Sequence, residues 1–311
     1  MATNILYIIG NGFDLYHGIK SKYTHFKEYL TYEDADLIRK LEENFDADLL
    51  WSNFEETLAH LDTDNIVEEA EIYLVSYGTS NWKDSYHHDY QYEVQNQIDV
   101  ITVQLKQKFL EWMLQLRIPD NNHKKPLIIN HNATFLNFNY TNSLEKIYKV
   151  PHNKIFYIHN KAIDINSNLI LGHSRDPDKM RSFNYKTNTA DQDVRITQAN
   201  LILDSYFKET YKSTKKVIEE NVAFFSALAN INEIHILGHS LAVVDMGYFK
   251  EILKWIDINK VKWKISFYDN NELLHHKQVM NDLGINQDLI DYDRLDFLYT
   301  KQIELFNKPK L

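Results

Sequence analysis

Ile5-Leu-Tyr-Ile-Ile9 is an unbroken apolar run that stops abruptly at Gly10-Asn11-Gly12, and no other feature of the chain narrows its fold as much. A strand with a polar residue at every second position can leave one face in water, whereas a strand without any must be covered on both. The run is strand-sized and far short of a membrane span. Runs of similar length recur at Leu127–Ile129, Thr134–Asn137, Ile155–Ile158, Leu169–Leu171, Ile234–Leu237 and Trp263–Tyr268, most of them closed by Gly, Asn, His or Asp. The pattern predicts an α/β chain with a Rossmann-like, mostly parallel sheet flanked by helices.

Between the first run and the second lies a long stretch of helical character. Its clearest segment is His88 to Leu116, where Val94, Ile98, Ile101, Leu105, Phe109, Trp112 and Leu116 recur at helical spacing before Pro119. Further helices are predicted near Ala199–Ala229 and Val244–Trp255. The expected organisation is a core of residues 1–18 and 126–311 with an inserted helical subdomain over 19–125. No linker rich in Pro, Gly or Ser separates them.

Composition closes off several kinds of function. With 34 Lys+Arg against 44 Asp+Glu, the formal charge of −10 repels a polyanion, so direct nucleic-acid binding is not expected. The absence of cysteine excludes disulfides, thiolate zinc sites and thiol nucleophiles. There is no basic segment before the first apolar run and no membrane-length run, so a cytoplasmic protein is expected. The adjacent histidines at His87-His88 and His275-His276 lack the spacing of a metal motif, and no metal is expected.

The candidate chemistry lies where strands end, because open α/β sheets bind ligands beyond the carboxyl ends of their strands. Gly10-Asn11-Gly12 follows the first run, and glycine lets a backbone approach a phosphate closely. The dinucleotide fingerprint asks for a third glycine where this chain has Leu15, which disfavours a simple dehydrogenase. Asn139 ends another run and either closes a loop or offers its amide to a ligand; Asn142 or Ser143 is placed to cap the helix that follows. His159 ends a third, as a buried hydrogen-bonded residue or as an acid/base. Gly238-His239-Ser240-Leu-Ala242 approaches a nucleophile elbow, and Asp269 with His275 or His276 follows in the order of a serine-hydrolase triad. That reading leaves the first glycine turn without a purpose.

Taken in order, Ile-Ile-Gly10-Asn-Gly-Phe-Asp14, Trp51-Ser-Asn-Phe-Glu55, Asn137-Phe-Asn-Tyr-Thr141, Ile158-His159, Leu171-Gly-His173 and Leu237-Gly-His-Ser240 with Asp245 resemble the bacteriophage abortive-infection AbiH family. The same order of elements is similar, more distantly, to the sirtuin-like domains of antiphage systems, several of which hydrolyse NAD. The resemblance implies an antiphage protein that binds NAD or a related nucleotide and hydrolyses it. Gly10, Asn11, Gly12 and Asp14 would then surround the dinucleotide, Asn139 would position ribose or water, and His159 would be the acid/base, with Gly238, Ser240 and Asp245 lining the ligand. It also leaves room for a phage-derived trigger or partner protein and for a homo-oligomer. Two alternatives stand beside it: a nucleotide-binding sensor or scaffold without turnover, and a serine hydrolase using Ser240.

Overall fold

The computed structural model describes residues 4–80, 82–119, 127–185, 193–296 and 298. Two compact units emerge, one of Met1–Lys22, Met113–Ile170 and Thr214–Leu311, the other of Tyr23–Trp112 and Leu171–Ser213. The helical unit therefore takes in 171–213 besides most of the stretch expected from sequence. The expected boundary between 125 and 126 lies outside the described residues.

The first unit holds a six-stranded sheet in the order β3-β2-β1-β4-β5-β6, formed by β1 (Ile5–Ile9), β2 (Thr134–Asn137), β3 (Ile155–Tyr157), β4 (Glu233–Leu237), β5 (Lys262–Phe267) and β6 (Ile290–Arg294). Every neighbouring pair is parallel. The chain builds outward from β1 to β3 and then returns to lay β4 on the other side of β1, so strand order reverses between β1 and β4. Such a reversal sends the following connections apart and leaves a crevice at the carboxyl edge.

Alternation explains why the runs are apolar throughout. Leu6 and Ile8 enter one cluster with Leu136, Ile234, Ile236 and Ile265, while Tyr7 and Ile9 enter a second with Phe135 and Leu237. All ten side chains are at most 2% exposed, and burial of each stabilises the fold by about 1.5–3 kcal/mol. A single truncation such as Ile8→Ala is expected to cost about 2–5 kcal/mol.

Two apolar runs are not strands. Leu127–Ile129 forms no ladder, with Leu127 and Ile129 buried and Ile128 exposed, and tyrosine hydroxyls accept hydrogen bonds from its neighbourhood: the Leu127 N–H donates to Tyr148 Oη (3.0 Å) and the Asn130 N–H to Tyr7 Oη (3.2 Å). Leu169–Leu171 is also irregular; the Ile170 N–H donates to the His159 carbonyl (3.0 Å), and the Ile170 carbonyl accepts from Tyr140 Oη (2.8 Å). Conversely β6, Ile290-Asp-Tyr-Asp-Arg294, forms an edge strand without an apolar run, because an edge need not be covered on both faces.

In the helical unit, aspartates set several helix starts. Asp34, Asp46, Asp62 and Asp193 each accept a hydrogen bond from a first-turn amide. The segment expected as one helix from His88 is Asp89–Asp99, a π turn at Val100–Gln104, and Leu105–Gln115. The second expected helix, Ala199–Ala229, is divided into Val194–Glu209, Thr214–Glu220 and Val222–Ser226. No helix among the described residues is long and apolar enough to cross a membrane.

Candidate functional site

Strand register brings the candidate residues to one level. Ile9 pairs with Asn137 and Leu237, and Asn137 with Tyr157. Two residues beyond that rung the chain leaves the sheet at Asn11, Asn139, His159 and His239. Sequence reasoning singled out the first three and left His239 as part of a supposed elbow. His239 stands two residues past the end of β4, as His159 does past the end of β3, but its apolar run stops one residue earlier relative to it, so the equivalence shows only once the strands are seen.

The two glycine turns meet backbone to backbone. A Cβ at Gly10 would lie 2.5 Å from His239 Cα, and one at Gly12 would lie 2.8 Å from Gly238 Cα. Gly238 is left-handed (φ +65°), and a Cβ there would overlap Phe13 N. The close approach is fastened by hydrogen bonds from the Gly10 N–H to the Leu237 carbonyl (3.0 Å) and from the Gly12 N–H to the Gly238 carbonyl (2.7 Å), while the Phe13 N–H turns back to the Gly10 carbonyl (2.9 Å). The Asn11 side chain is tied to Ser21, donating from Nδ2 to its carbonyl and accepting from its hydroxyl. These glycines thus make room for a second backbone turn.

Asp14 joins the turn after β1 to the turn after β2. Its carboxylate is 1% exposed and accepts hydrogen bonds from Thr141 Oγ1 and Ser143 Oγ, both at 2.6 Å. Burial pushes its pKa up to about 6 against the pull of the Ser143 and Thr141 hydroxyls and the Asn139 amide. Ser143 is therefore a partner of Asp14, and Asn142 occupies the helix N-cap without a side-chain hydrogen bond. Asn139 donates from Nδ2 to the Gly10 carbonyl (3.0 Å), and its own N–H donates to Asn137 Oδ1 (3.0 Å). With Nδ2 committed to the fold, Oδ1 is the acceptor that Asn139 can offer to a hydroxyl or water.

A second constellation lies past β3 and β4. Asp245, at the end of the 3-10 turn Val243–Asp245, points one carboxylate oxygen at each of two histidines: Oδ1 lies 3.6 Å from His159 Nε2 and Oδ2 lies 3.4 Å from His239 Nε2. All three are buried, with His159 and His239 each 3% exposed. The Phe138 ring stands edge-on to both imidazoles, with centroids 5.3 Å from His159 and 4.3 Å from His239. Tyr140 and Tyr248 also pack near His159, at 6.1 and 5.9 Å between centroids. An imidazole beside a carboxylate and walled by aromatic rings suits proton transfer.

Other motif residues serve elsewhere. Ser240 is exposed; Asp269 caps the helix Asn270–Asp282 by accepting the Glu272 N–H (2.9 Å), and His275 approaches the Leu241 carbonyl (3.4 Å). Asp269 and His275 are thus committed to backbone partners, while His276, the other base suggested for a serine-hydrolase triad, is fully buried. In the helical unit, Glu55 accepts from Lys212 Nζ (2.9 Å) and Tyr23 Oη (3.3 Å). His173 is fully buried there, its pKa pushed down to about 4 by burial and then by Arg175 and His60. Among the described residues no group of three or more His, Asp or Glu side chains is placed to hold a metal ion.

No curated protein and no solved structure matches the chain. The family model described as bacteriophage abortive infection AbiH matches residues 6–267, a span that runs from β1 through β5 and contains every residue of both constellations. By that match the chain belongs to the AbiH family.

Proposed function

We propose that this chain is an antiphage abortive-infection protein that binds NAD or a related nucleotide at the carboxyl edge of its sheet and hydrolyses it when a phage-derived trigger is sensed. The observation that carries the reading is the meeting of His159, His239 and Asp245 beside the β1/β4 reversal, with two imidazoles facing one carboxylate and Asn139 tied to the Gly10 carbonyl at the same edge. In the reaction, water attacks C1′ of the nicotinamide riboside while the C1′–N1 bond breaks. The bonding pair leaves with nicotinamide, and the water proton passes to His159, which releases it afterwards. Asp245 stabilises the imidazolium, and the Asn139 Oδ1 orients a ribose hydroxyl or the water. ADP-ribose, nicotinamide and a proton are the products.

Binding without turnover, as a sensor or scaffold, is the second reading. It is favoured by the burial of His159, which gives water access to the imidazole only if the site opens.

The test is incubation of the purified protein, with and without extract of infected cells, with NAD and a panel of other nucleotides followed by chromatography. Conversion of NAD to ADP-ribose and nicotinamide is expected, and His159→Ala should lower turnover by about 10²–10⁴-fold with little change in nucleotide affinity. Asn139→Ala should reduce both. Retention of nucleotide with no product would establish the sensor reading, and neither binding nor turnover under any condition would overturn both.

A further inference from the structure

Asp245 faces two imidazoles that its distances barely distinguish, at 3.6 and 3.4 Å. What distinguishes them is the far side of each ring. His239 Nδ1 accepts the Leu241 N–H at 2.9 Å, at a residue held in the left-handed region (φ +54°) so that its amide points back at the ring. A neutral imidazole that accepts at Nδ1 carries its proton on Nε2, the nitrogen that lies 3.4 Å from Asp245 Oδ2. Protonating His239 would place a second donor against the Leu241 N–H and break that bond.

We infer that His239 is a positioning residue: locked as a neutral Nε2–H donor by the Leu241 amide, it holds Asp245 ionised and leaves His159 as the imidazole that takes the proton. A neutral donor stabilises the carboxylate without cancelling its charge, so His159 on the other oxygen feels the full anion and becomes the stronger base. Phe138 stands edge-on to both rings.

Other groups facing the pair come from three elements. Tyr140, after β2, and Tyr248, on the helix Met246–Trp255, pack against His159. Glu272, His275 and His276 belong to the helix Asn270–Asp282, and Glu272 and His276 lie within electrostatic reach of His239. His276 stays neutral at physiological pH, its pKa pushed down to about 4 chiefly by burial.

This inference rests on the reading of His159 as a base, but its test needs no turnover. In the full-length protein, histidine side chains are observed by long-range proton–nitrogen NMR at neutral pH and assigned by single substitutions. His239 should be seen as the Nε2–H tautomer with Nδ1 as acceptor. His239→Gln, which keeps a donor in the place of Nε2, should leave the His159 resonances close to those of the wild type, whereas His239→Leu and Asp245→Asn should both move them. If His239 is the Nδ1–H tautomer or carries protons on both nitrogens, or if His239→Leu leaves His159 unmoved, the inference falls. NAD left intact alongside the expected tautomer would sink the hydrolase reading alone, while NAD hydrolysis with His239 in the other tautomer would sink only the role given to His239.

Discussion

The turns after β1 and β4 both carry glycines where a buried strand ends, and they do different things. Gly10-Asn11-Gly12 has the appearance of a phosphate loop, yet the Gly12 and Phe13 amides donate to carbonyls of the protein and Asn11 is tied to Ser21. Gly238-His239-Ser240 has the appearance of a hydrolase elbow, yet its serine is exposed and its histidine and following Asp245 stand beside His159. Glycine reports that a backbone must pass close to something. Whether that something is a ligand or another backbone is decided by the fold.

The largest effect expected from this comparison is at the point where the turns touch. Gly238→Val would force a branched side chain into the left-handed region, with its Cβ against Phe13 N. Left-handed strain of about 1–3 kcal/mol and overpacking of about 1–3 kcal/mol act together. Urea denaturation should show a loss of about 4 kcal/mol or failure to fold. Gly284→Ala is the control, since Gly284 has φ +76° but nothing within 4 Å of an added Cβ; it should lose only about 1 kcal/mol. Equal losses at the two positions would mean that the turns are not locked together.

Legibility in the sequence followed the same divide. Strands covered on both faces were readable: β1 and β2 fall on the expected residues, and β3, β4 and β5 differ only at their ends. Apolar character alone misled at Leu127–Ile129 and Leu169–Leu171, where tyrosine hydroxyls and the His159 carbonyl replace a ladder. The edge strand β6 was invisible because Asp291 and Asp293 interrupt any apolar run. In the site, Asn139 and His159 were legible as polar residues after strand ends, and Asp245 through the family resemblance. His239 was not, because its role depends on the Leu241 amide, and backbone direction leaves no mark in residue type.

Asp14 gives a second, smaller way to separate the turns. Its pKa rises from 3.8 to about 6 on folding, chiefly through burial, so between those values the folded protein binds more proton than the unfolded chain. Its contribution to stability is therefore fully present below about pH 4 and is lost as pH rises through about 6. At about 1.4 kcal/mol per unit the loss is no more than about 3 kcal/mol. The buried His173 and His276 act in the opposite sense over the same range, so the measurement is the difference between wild type and Asp14→Asn in urea unfolding across pH 4–7: the wild type should lose stability relative to the variant as pH rises. A difference that instead grows in favour of the wild type would mean that the Thr141 and Ser143 hydroxyls outweigh burial and that Asp14 is a stabilised carboxylate.

The smallest expected effect is at Ser240, and it bears on what the β4 turn is for. A nucleophilic serine needs a base within hydrogen-bond reach and an acid behind that base. Here Asp269 is occupied as a helix N-cap, His275 approaches the Leu241 carbonyl and His276 is fully buried, while His239, the residue beside Ser240, faces Asp245. With its side chain at an exposed position, Ser240→Ala should change stability by no more than about 0.5 kcal/mol. Neither wild type nor variant should be labelled by a fluorophosphonate, and nucleotide turnover should fall less than about tenfold, the range left to a residue that only lines a ligand. Labelling of the wild type that vanishes in the variant would make the β4 turn a true nucleophile elbow, and the pairing of His239 with Asp245 would then have to be explained as part of a hydrolase of a different kind.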